Sequence, residues 1–293
     1  NAPPAIKRKR SQMPTQTNPA VNLELRSAGF VSGGLAATTT VKTVGLLPGT
    51  KYVSLAPHNL SATTVAVSFG LNPWLTILKT TDGGATFTDY SEVAQNDLAD
   101  SGVVLSSLPT LANGGALFIG SHVQFRGLQI DVSAVNATAN LLTAEYYNNT
   151  TWADLDDTDG TASGGAALAQ DGAYTFASVP SAWSAAPLET IMGKPNEAFG
   201  STFVKPVAGI RTYTQSLYWA RLQLNAAFDS ATTVHQIHAL NRSVSYAQVS
   251  GNVPHQQSLH RGQGGFGSIE YRTDTGTADL LVNVGSGNGY FGD

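Results

Sequence analysis

The stretch ATTVAVSFGL, residues 62–71, places Val65, Val67 and Phe69 on one face at a period of two. Successive side chains leave a strand on opposite sides, so this alternation predicts a half-buried β-strand. The same reading recurs along the chain. TTTVKTVGLLPGTKYVSLAP (38–57) gives two strand-like runs around a Leu47-Pro48-Gly49-Thr50 turn, and WLTILKTTDGGATFTDY (74–90) gives two more around Gly83-Gly84. Further strands are expected at 116–121, 125–133, 140–148, 173–179, 215–226 and 233–241. The last pair is FGSIEYRT (266–273) and ADLLVNVG (278–285), separated by a turn at Asp274-Thr275-Gly276. Residues 91–107 are mixed and leave room for one short helical turn with Asp or Ser caps. No window sustains a helical period, and the strands recur at the ~8–12-residue spacing of sandwiches and barrels. The expected fold class is therefore all-β and antiparallel, of sandwich or jelly-roll type, with one or two sandwich units.

Composition agrees with many short strands and small-residue turns. Hydrophobic residues make up 42% of the 293 residues, enough for one large core or two modest ones. Charged residues are only 12%, about half the usual quarter, and there are 30 glycines. Cysteine is absent, which excludes disulfides and thiolate metal sites. No apolar run approaches the ~20 residues of a membrane-spanning helix, and no signal peptide is expected.

Charge is unevenly distributed. Lys7, Arg8, Lys9 and Arg10 are four of 16 basic residues, and no acid precedes Glu24. Without them 12 basic residues face 20 acidic ones, so the remainder carries 12 − 20 = −8. A basic segment with Pro3, Pro4, Pro14 and Pro19 ahead of an acidic body reads as a flexible arm over residues 1–25. Lys7–Arg10 are the candidate partner-binding residues, and the competing reading is a solvated terminus. Four charges without interleaved aromatics are a poor match to a nucleic-acid site.

The densest chemistry lies in LLTAEYYNNTTWADLDDTDGT (141–161), where Trp152 stands beside four aspartates. A calcium loop needs alternating acids followed by glycine, so that oxygen ligands converge on one ion. Asp154, Asp156, Asp157 and Asp159, followed by Gly160, approach that pattern. Their spacing is one residue off, and Gly165 stands where a bidentate glutamate belongs. An aspartate-capped turn is the ordinary reading, with calcium at these four residues the alternative; no other cofactor is implied.

Other motifs point to structure. Thr80–Phe87 resembles an Asp-box hairpin, in which the Asp82 carboxylate caps turn amides above a packed aromatic ring. A propeller would repeat it, and there is one copy. His235 and His238, three apart on a strand, are expected on opposite faces. His255 and His260 fall in PHQQSLHRGQGGFGS, read as a polar loop. Its glycines lead into a strand rather than a helix, which excludes a phosphate loop. Trp152, Trp183 and Trp219 are expected to anchor the core. No nucleophile elbow, HExxH motif or converging carboxylate pair appears, so no enzymatic role is expected.

An ordered set of these segments resembles a β-sandwich module of bacteriophage and other virion structural proteins. It runs over about 108–242: ALFIGS and FRGLQIDV; AEYYNNTTWADLDDTDGT; Gly164-Gly165, Leu168 and Gln170-Asp171-Gly172-Ala173; YTFASVPSAW; LYWARLQL and TTVHQIHAL. Two departures are Tyr147, where the module carries Trp, and the long stretch 185–214. The resemblance implies a virion structural protein, a capsid shell or decorating subunit that acts by self-assembly. Its partners would be copies of itself and other virion proteins. The alternative is a tail, spike, receptor- or carbohydrate-binding sandwich meeting a host glycan. The implied organisation is an arm (1–25), a β-rich region (26–107), the module (108–242) and C-terminal strands packing on the body (243–293).

Overall fold

The computed structural model describes residues 35–40, 42–45, 52–62, 65–95, 102–193, 216–240, 247–250, 255–258 and 266–285. The basic segment Lys7–Arg10, His260 and residues 194–214 of the long 185–214 stretch lie outside them. The all-β expectation holds: antiparallel sheets pack face to face, with one short α-helix and one 3-10 turn (Leu111–Asn113) among the described residues.

Four strands open the fold: β1 (Leu35–Ala37), β2 (Lys42–Gly45), β3 (Tyr52–His58) and β4 (Ala66–Pro73). The central part of the chain then forms β5 (Thr76–Thr80), β6 (Thr88–Asp89), β7 (Val103–Val104), β8 (Ala116–Ser121), β9 (Gly127–Ala134), β10 (Leu142–Tyr147), β11 (Trp152–Asp154) and β12 (Asp157–Asp159). It continues through β13 (Gly172–Phe176), β14 (Ala185–Ala186), helix α1 (Leu188–Ile191), β15 (Leu217–Leu224) and β16 (Thr233–Leu240). The chain closes with β17 (Ala247–Ser250), β18 (His255–Ser258), β19 (Phe266–Thr273) and β20 (Ala278–Gly285).

These strands build two sandwiches. The first and last segments of the chain make one, from sheets ordered β1-β20-β3-β18 and β17-β4-β19-β2. Numbered one to eight along the chain, those strands read 1-8-3-6 and 5-4-7-2, the order of an eight-stranded jelly roll. Every connection but one crosses between the two sheets. The exception joins the neighbours β4 and β17, and the whole central sandwich is inserted there. FGSIEYRT and ADLLVNVG, adjacent in sequence, are β19 and β20 in opposite sheets.

The inserted sandwich has a seven-stranded sheet, β11-β10-β15-β8-β5-β6 with β14 beside β15, facing a five-stranded sheet, β12-β13-β9-β16-β7. Its division differs from the expected boundary at 107/108, because β5 pairs with β8 and β7 pairs with β16. Likewise the C-terminal strands do not lie on a finished body. They supply half of the jelly roll by pairing with β3, β4, β2 and β1. His255, read as part of a loop, stands on β18 paired with β3, a long-range partner that local composition does not reveal.

Each sandwich has its own core. In the jelly roll, Val67 and Phe69 of β4 meet Ile269, Tyr271, Leu280 and Val282. In the insert, Leu117, Ile119, Ala220 and Leu222 of the large sheet face Leu128, Ile130, Val234 and Ile237 of the small one. The opposite face of the large sheet is also buried, with Leu78, Phe118, Leu217 and Trp219 beneath Phe87 and Leu188. That is why β8 reads as a near-continuous apolar run, and why Leu217, Tyr218, Trp219 and Ala220 follow one another in β15. Trp219 is fully buried, its indole nitrogen donating to the Ala186 carbonyl at 2.9 Å, and Trp183 donates to the Trp219 carbonyl at 3.1 Å.

Gly120 lies directly opposite Trp219 in the β8–β15 ladder. A Cβ there would come within 2.7 Å of the indole ring, inside any allowed carbon contact. Gly120→Ala is expected to destabilise the insert by about 1–3 kcal/mol through overpacking. Urea unfolding followed by tryptophan fluorescence measures it, and an unchanged midpoint would refute the packing account.

Candidate functional site

The β10–β11 hairpin forms as its asparagines dictate. Asn149 takes a left-handed φ of 79°, which Asn tolerates better than most residues. The Asn148 side-chain oxygen accepts from the Thr150 and Thr151 amides at 3.1 and 2.9 Å. Trp152 returns opposite Tyr147, and their rings meet edge to face at 5.9 Å. Arg221 lies 4.6 Å from the centre of the Trp152 ring and pairs with Glu145, and Phe118 meets the same ring at 5.7 Å.

The four aspartates do not encircle a common point. They mark where the chain leaves one sheet for the other: Asp154 ends β11 in the large sheet, and Asp157 begins β12 in the small one. Between them Leu155 is buried in the core and Asp156 turns with a φ of 50°. Asp154 and Asp156 are exposed. Asp157 is half-buried and accepts from the Ala144 amide at 2.6 Å. Burial pushes its pKa up, opposed by hydrogen bonds from Ala144 and Tyr174 and reinforced by Asp154 and Asp159. Asp159 accepts from the Thr161 amide and hydroxyl at 2.8 and 2.5 Å. Among the described residues no three His, Asp or Glu side chains gather as a metal site. The run is a sheet-to-sheet crossover held by side-chain caps.

The Asp82 motif also caps a turn. The Asp82 carboxylate accepts from the Thr86 amide (2.9 Å) and hydroxyl (2.6 Å) and the Thr80 hydroxyl (2.9 Å), with Phe87 fully buried below. Burial pushes its pKa up, and the hydrogen bonds from Thr86, Thr80 and the Ala85 amide together outweigh it and hold the pKa below the ordinary value.

His235 and His238 depart from the strict alternation expected of a strand. A β-bulge shifts the β16–β9 register between Val234 and Gln236. Val234 and Ile237 both point into the core despite standing three apart, and His235 comes close enough to His238 to oppose its protonation.

A second cluster, which the sequence reading did not single out, lies at one end of the insert. There the loops 134–141, 161–170 and 225–232 are tied together by buried amides. Asn136 Nδ2 donates to the Thr138 and Ala167 carbonyls and to Asn140 Oδ1 at 2.9–3.0 Å. Asn140 in turn accepts from the Ala167 amide and donates to the Ala226 carbonyl. Asp229 accepts from the Ala137, Ala231 and Thr232 amides at 2.8–2.9 Å. The rim so fixed presents Val135 and Leu141, 53% and 60% exposed. A rigid rim with projecting apolar side chains is suited to contact with another protein surface, because little loop entropy is lost on docking. Its only sequence signal is asparagine at the loop ends, which alone does not distinguish a structural amide from a turn.

Comparison with protein-family models, with curated proteins and with solved structures finds no match to this chain.

Backbone amides of Ala137 and Ala231 hold the Asp229 pKa down at about 2. The free carboxyl titrates near ~3.9, so its contribution to rim order is complete above that value and is lost as pH falls toward 2. Carboxyl NMR should find Asp229 among the last aspartates to protonate. Asp229→Asn should speed hydrogen exchange at Ala137 and Ala231 at neutral pH. A normal pKa, or unchanged exchange in the variant, would contradict this role.

Proposed function

We propose that this chain is a structural subunit of a virion shell, acting through self-assembly. The observation that carries this reading is the 1-8-3-6 and 5-4-7-2 strand order of the terminal sandwich, an architecture that viral capsid proteins share with lectins and cupins. Three features favour the capsid use of it. A proline-containing basic segment, with Lys7, Arg8, Lys9 and Arg10, precedes the first strand of an acidic body, an arrangement suited to tying one subunit to another. The 12% charge content favours broad contacts over a solvated monomer surface. The insert is itself a complete sandwich with a rigid rim, which adds contact surface without disturbing the jelly roll that bears it.

The tryptophans lend less support to a carbohydrate-binding module. Trp183 and Trp219 are buried, Trp74 is half-buried, and Arg221 lies over Trp152. Among the described residues the exposed large hydrophobics are Val104, Val123, Val135, Leu141 and Leu281, none of them an aromatic platform for a sugar ring.

The purified chain should form closed particles or discrete high-order oligomers, seen by electron microscopy and sedimentation velocity. A monodisperse monomer at several concentrations and ionic strengths, with and without added nucleic acid, would overturn the proposal. Deleting residues 1–25 should abolish particles or change their size distribution. Normal particles from the truncated chain would leave the shell reading intact and remove the role assigned to Lys7–Arg10.

A further inference from the structure

The two sandwiches meet over an unusual face. In β4, Val67 and Phe69 fill the jelly-roll core, and the opposite face carries Ser68, Gly70 and Asn72. The partner β19 carries Ser268 and Glu270 on that same side, since Ser268 pairs with Asn72 and Glu270 with Gly70. All of these residues are buried, because the insert packs over them, with β16 lying against β4 and β19. This face is polar: Asn72 Nδ2 donates to Ser268 Oγ and Glu270 Oε1, both at 3.1 Å.

His238 of β16 is set into that face. It stands over Gly45 of β2, which pairs with Ser268, and a Cβ on Gly45 would lie 3.0 Å from the imidazole Cε1. Glycine there is what lets the ring approach. The ring is 3% exposed, and its Nε2 is 3.2 Å from Gln236 Oε1, which selects the tautomer with the proton on Nε2. Nδ1 is then an acceptor, buried and without a partner among the described residues. Asn72 Oδ1, in the same cross-strand row, is likewise buried and unpartnered. Beside the imidazole, Gln95 bonds Leu75 through both its amide atoms, and its Oε1 would lie 2.7 Å from a Cβ on Gly267. Among the described residues, Gln95 and His238 are thus the side chains of the insert seated on jelly-roll glycines.

We propose that this seat is an acid-sensitive latch, in which a proton on His238 Nδ1 releases the inserted sandwich from the jelly roll without unfolding either one. Two features make release the expected response. The imidazolium formed in the closed state gains a buried N–H, a costly group because no described residue, Asn72 Oδ1 included, lies within hydrogen-bond reach of Nδ1 in that geometry. The buried polar side chains at this contact, Ser68, Asn72, Ser268, Glu270 and His238, can be satisfied by water on release, whereas each apolar core is a separate cluster and stays closed. The charged groups around the ring do not remove this cost. Glu270 shares the face but its Oε1 accepts from Asn72, and Arg272 lies two residues further along the same row. Lys42 of β2 sits in the alternate row with Tyr271 and donates to the Ala36 carbonyl. Glu92 of the turn 91–95 is exposed, and His235 on β16 adds positive charge when it protonates.

Burial, with His235 second, lowers the His238 pKa to about 4 in the closed state. An open, solvated imidazole titrates near ~6.5. The latch is therefore fully closed above ~6.5, and it weakens as pH falls through that value toward 4. The closed-to-open ratio drops by up to roughly two orders of magnitude.

The chain has no cysteine, so Thr275→Cys on the jelly roll and Ser163→Cys on the insert, both exposed positions, accept a dye pair uniquely. Single-molecule energy transfer at sub-nanomolar concentration keeps the measurement independent of self-assembly. One population is expected at pH 8, with a second of different transfer efficiency growing between pH 6.5 and 4.5. His238→Gln should hold the first population throughout, and His122→Gln, at another half-buried histidine of the insert whose protonation burial also disfavours, should leave the transition in place. A single population across the range, or the same transition in His238→Gln, would overturn the latch. Nitrogen-detected NMR of the imidazole in the parent chain is decisive even where His238→Gln fails to fold: a pKa at or above 6.5 at pH values where the first population dominates refutes the proposal.

Discussion

The architecture depends on β4 and β19 being buried on both faces. One face of this pair holds the apolar contacts that make the jelly roll a sandwich, through Val67, Phe69, Ile269 and Tyr271. The other, with Asn72, Ser268 and Glu270, receives the insert. A strand between two layers normally becomes apolar on both sides. Here the second side stays polar, and glycine provides the fit: Gly45 and Gly267 leave room for His238 and Gln95. Joining two folded units through hydrogen bonds and close backbone approach gives a contact that is specific without being strongly cohesive. Each sandwich can then be stable on its own core while their relative placement remains adjustable.

The position of the insertion follows from topology. In the jelly roll, β1 to β2, β2 to β3, β3 to β4, β17 to β18, β18 to β19 and β19 to β20 all pass between sheets. Each of those crossings fixes one strand relative to another in the opposite layer. Only β4 and β17 are consecutive neighbours within one sheet, joined as a hairpin would be, with Val67 opposite Val249 and Phe69 opposite Ala247. Opening that turn changes no strand order and interrupts no crossing. The cost of a long connection grows slowly with its length, and here the connection folds into a sandwich of its own.

Much of the strand pattern was legible because burial wrote it into the residues. Val65, Val67 and Phe69 alternate because they line one core, and β19 and β20 occupy the very spans their apolar runs suggested. β8 reads as a continuous apolar run because both its faces are covered. What the sequence could not show was partnership. FGSIEYRT and ADLLVNVG look like a hairpin but enter different sheets, and HQQS at 255–258 looks like loop but completes one. A local pattern reports whether a residue is buried, not which distant strand buries it.

The same distinction separates the acidic run from the histidine. Asp154, Asp156, Asp157 and Asp159 are conspicuous in sequence because they are close together, and the fold uses them to turn the chain from one sheet to the other around Leu155. Their proximity is a property of the crossover. His238 is inconspicuous, one polar residue in TTVHQIHAL, and its setting arises only when β2, the turn at 91–95 and β16 converge from three distant parts of the chain. A β-bulge at Val234–Gln236 then moves His235 and His238 out of the strict alternation that a strand of this sequence predicts. A functional group assembled from long-range contacts leaves no local pattern, since each contributing segment is shaped chiefly by its own sheet. In this chain the legible chemistry is therefore structural. The group whose protonation bears on both sandwiches becomes visible only after the jelly roll has closed around its insert.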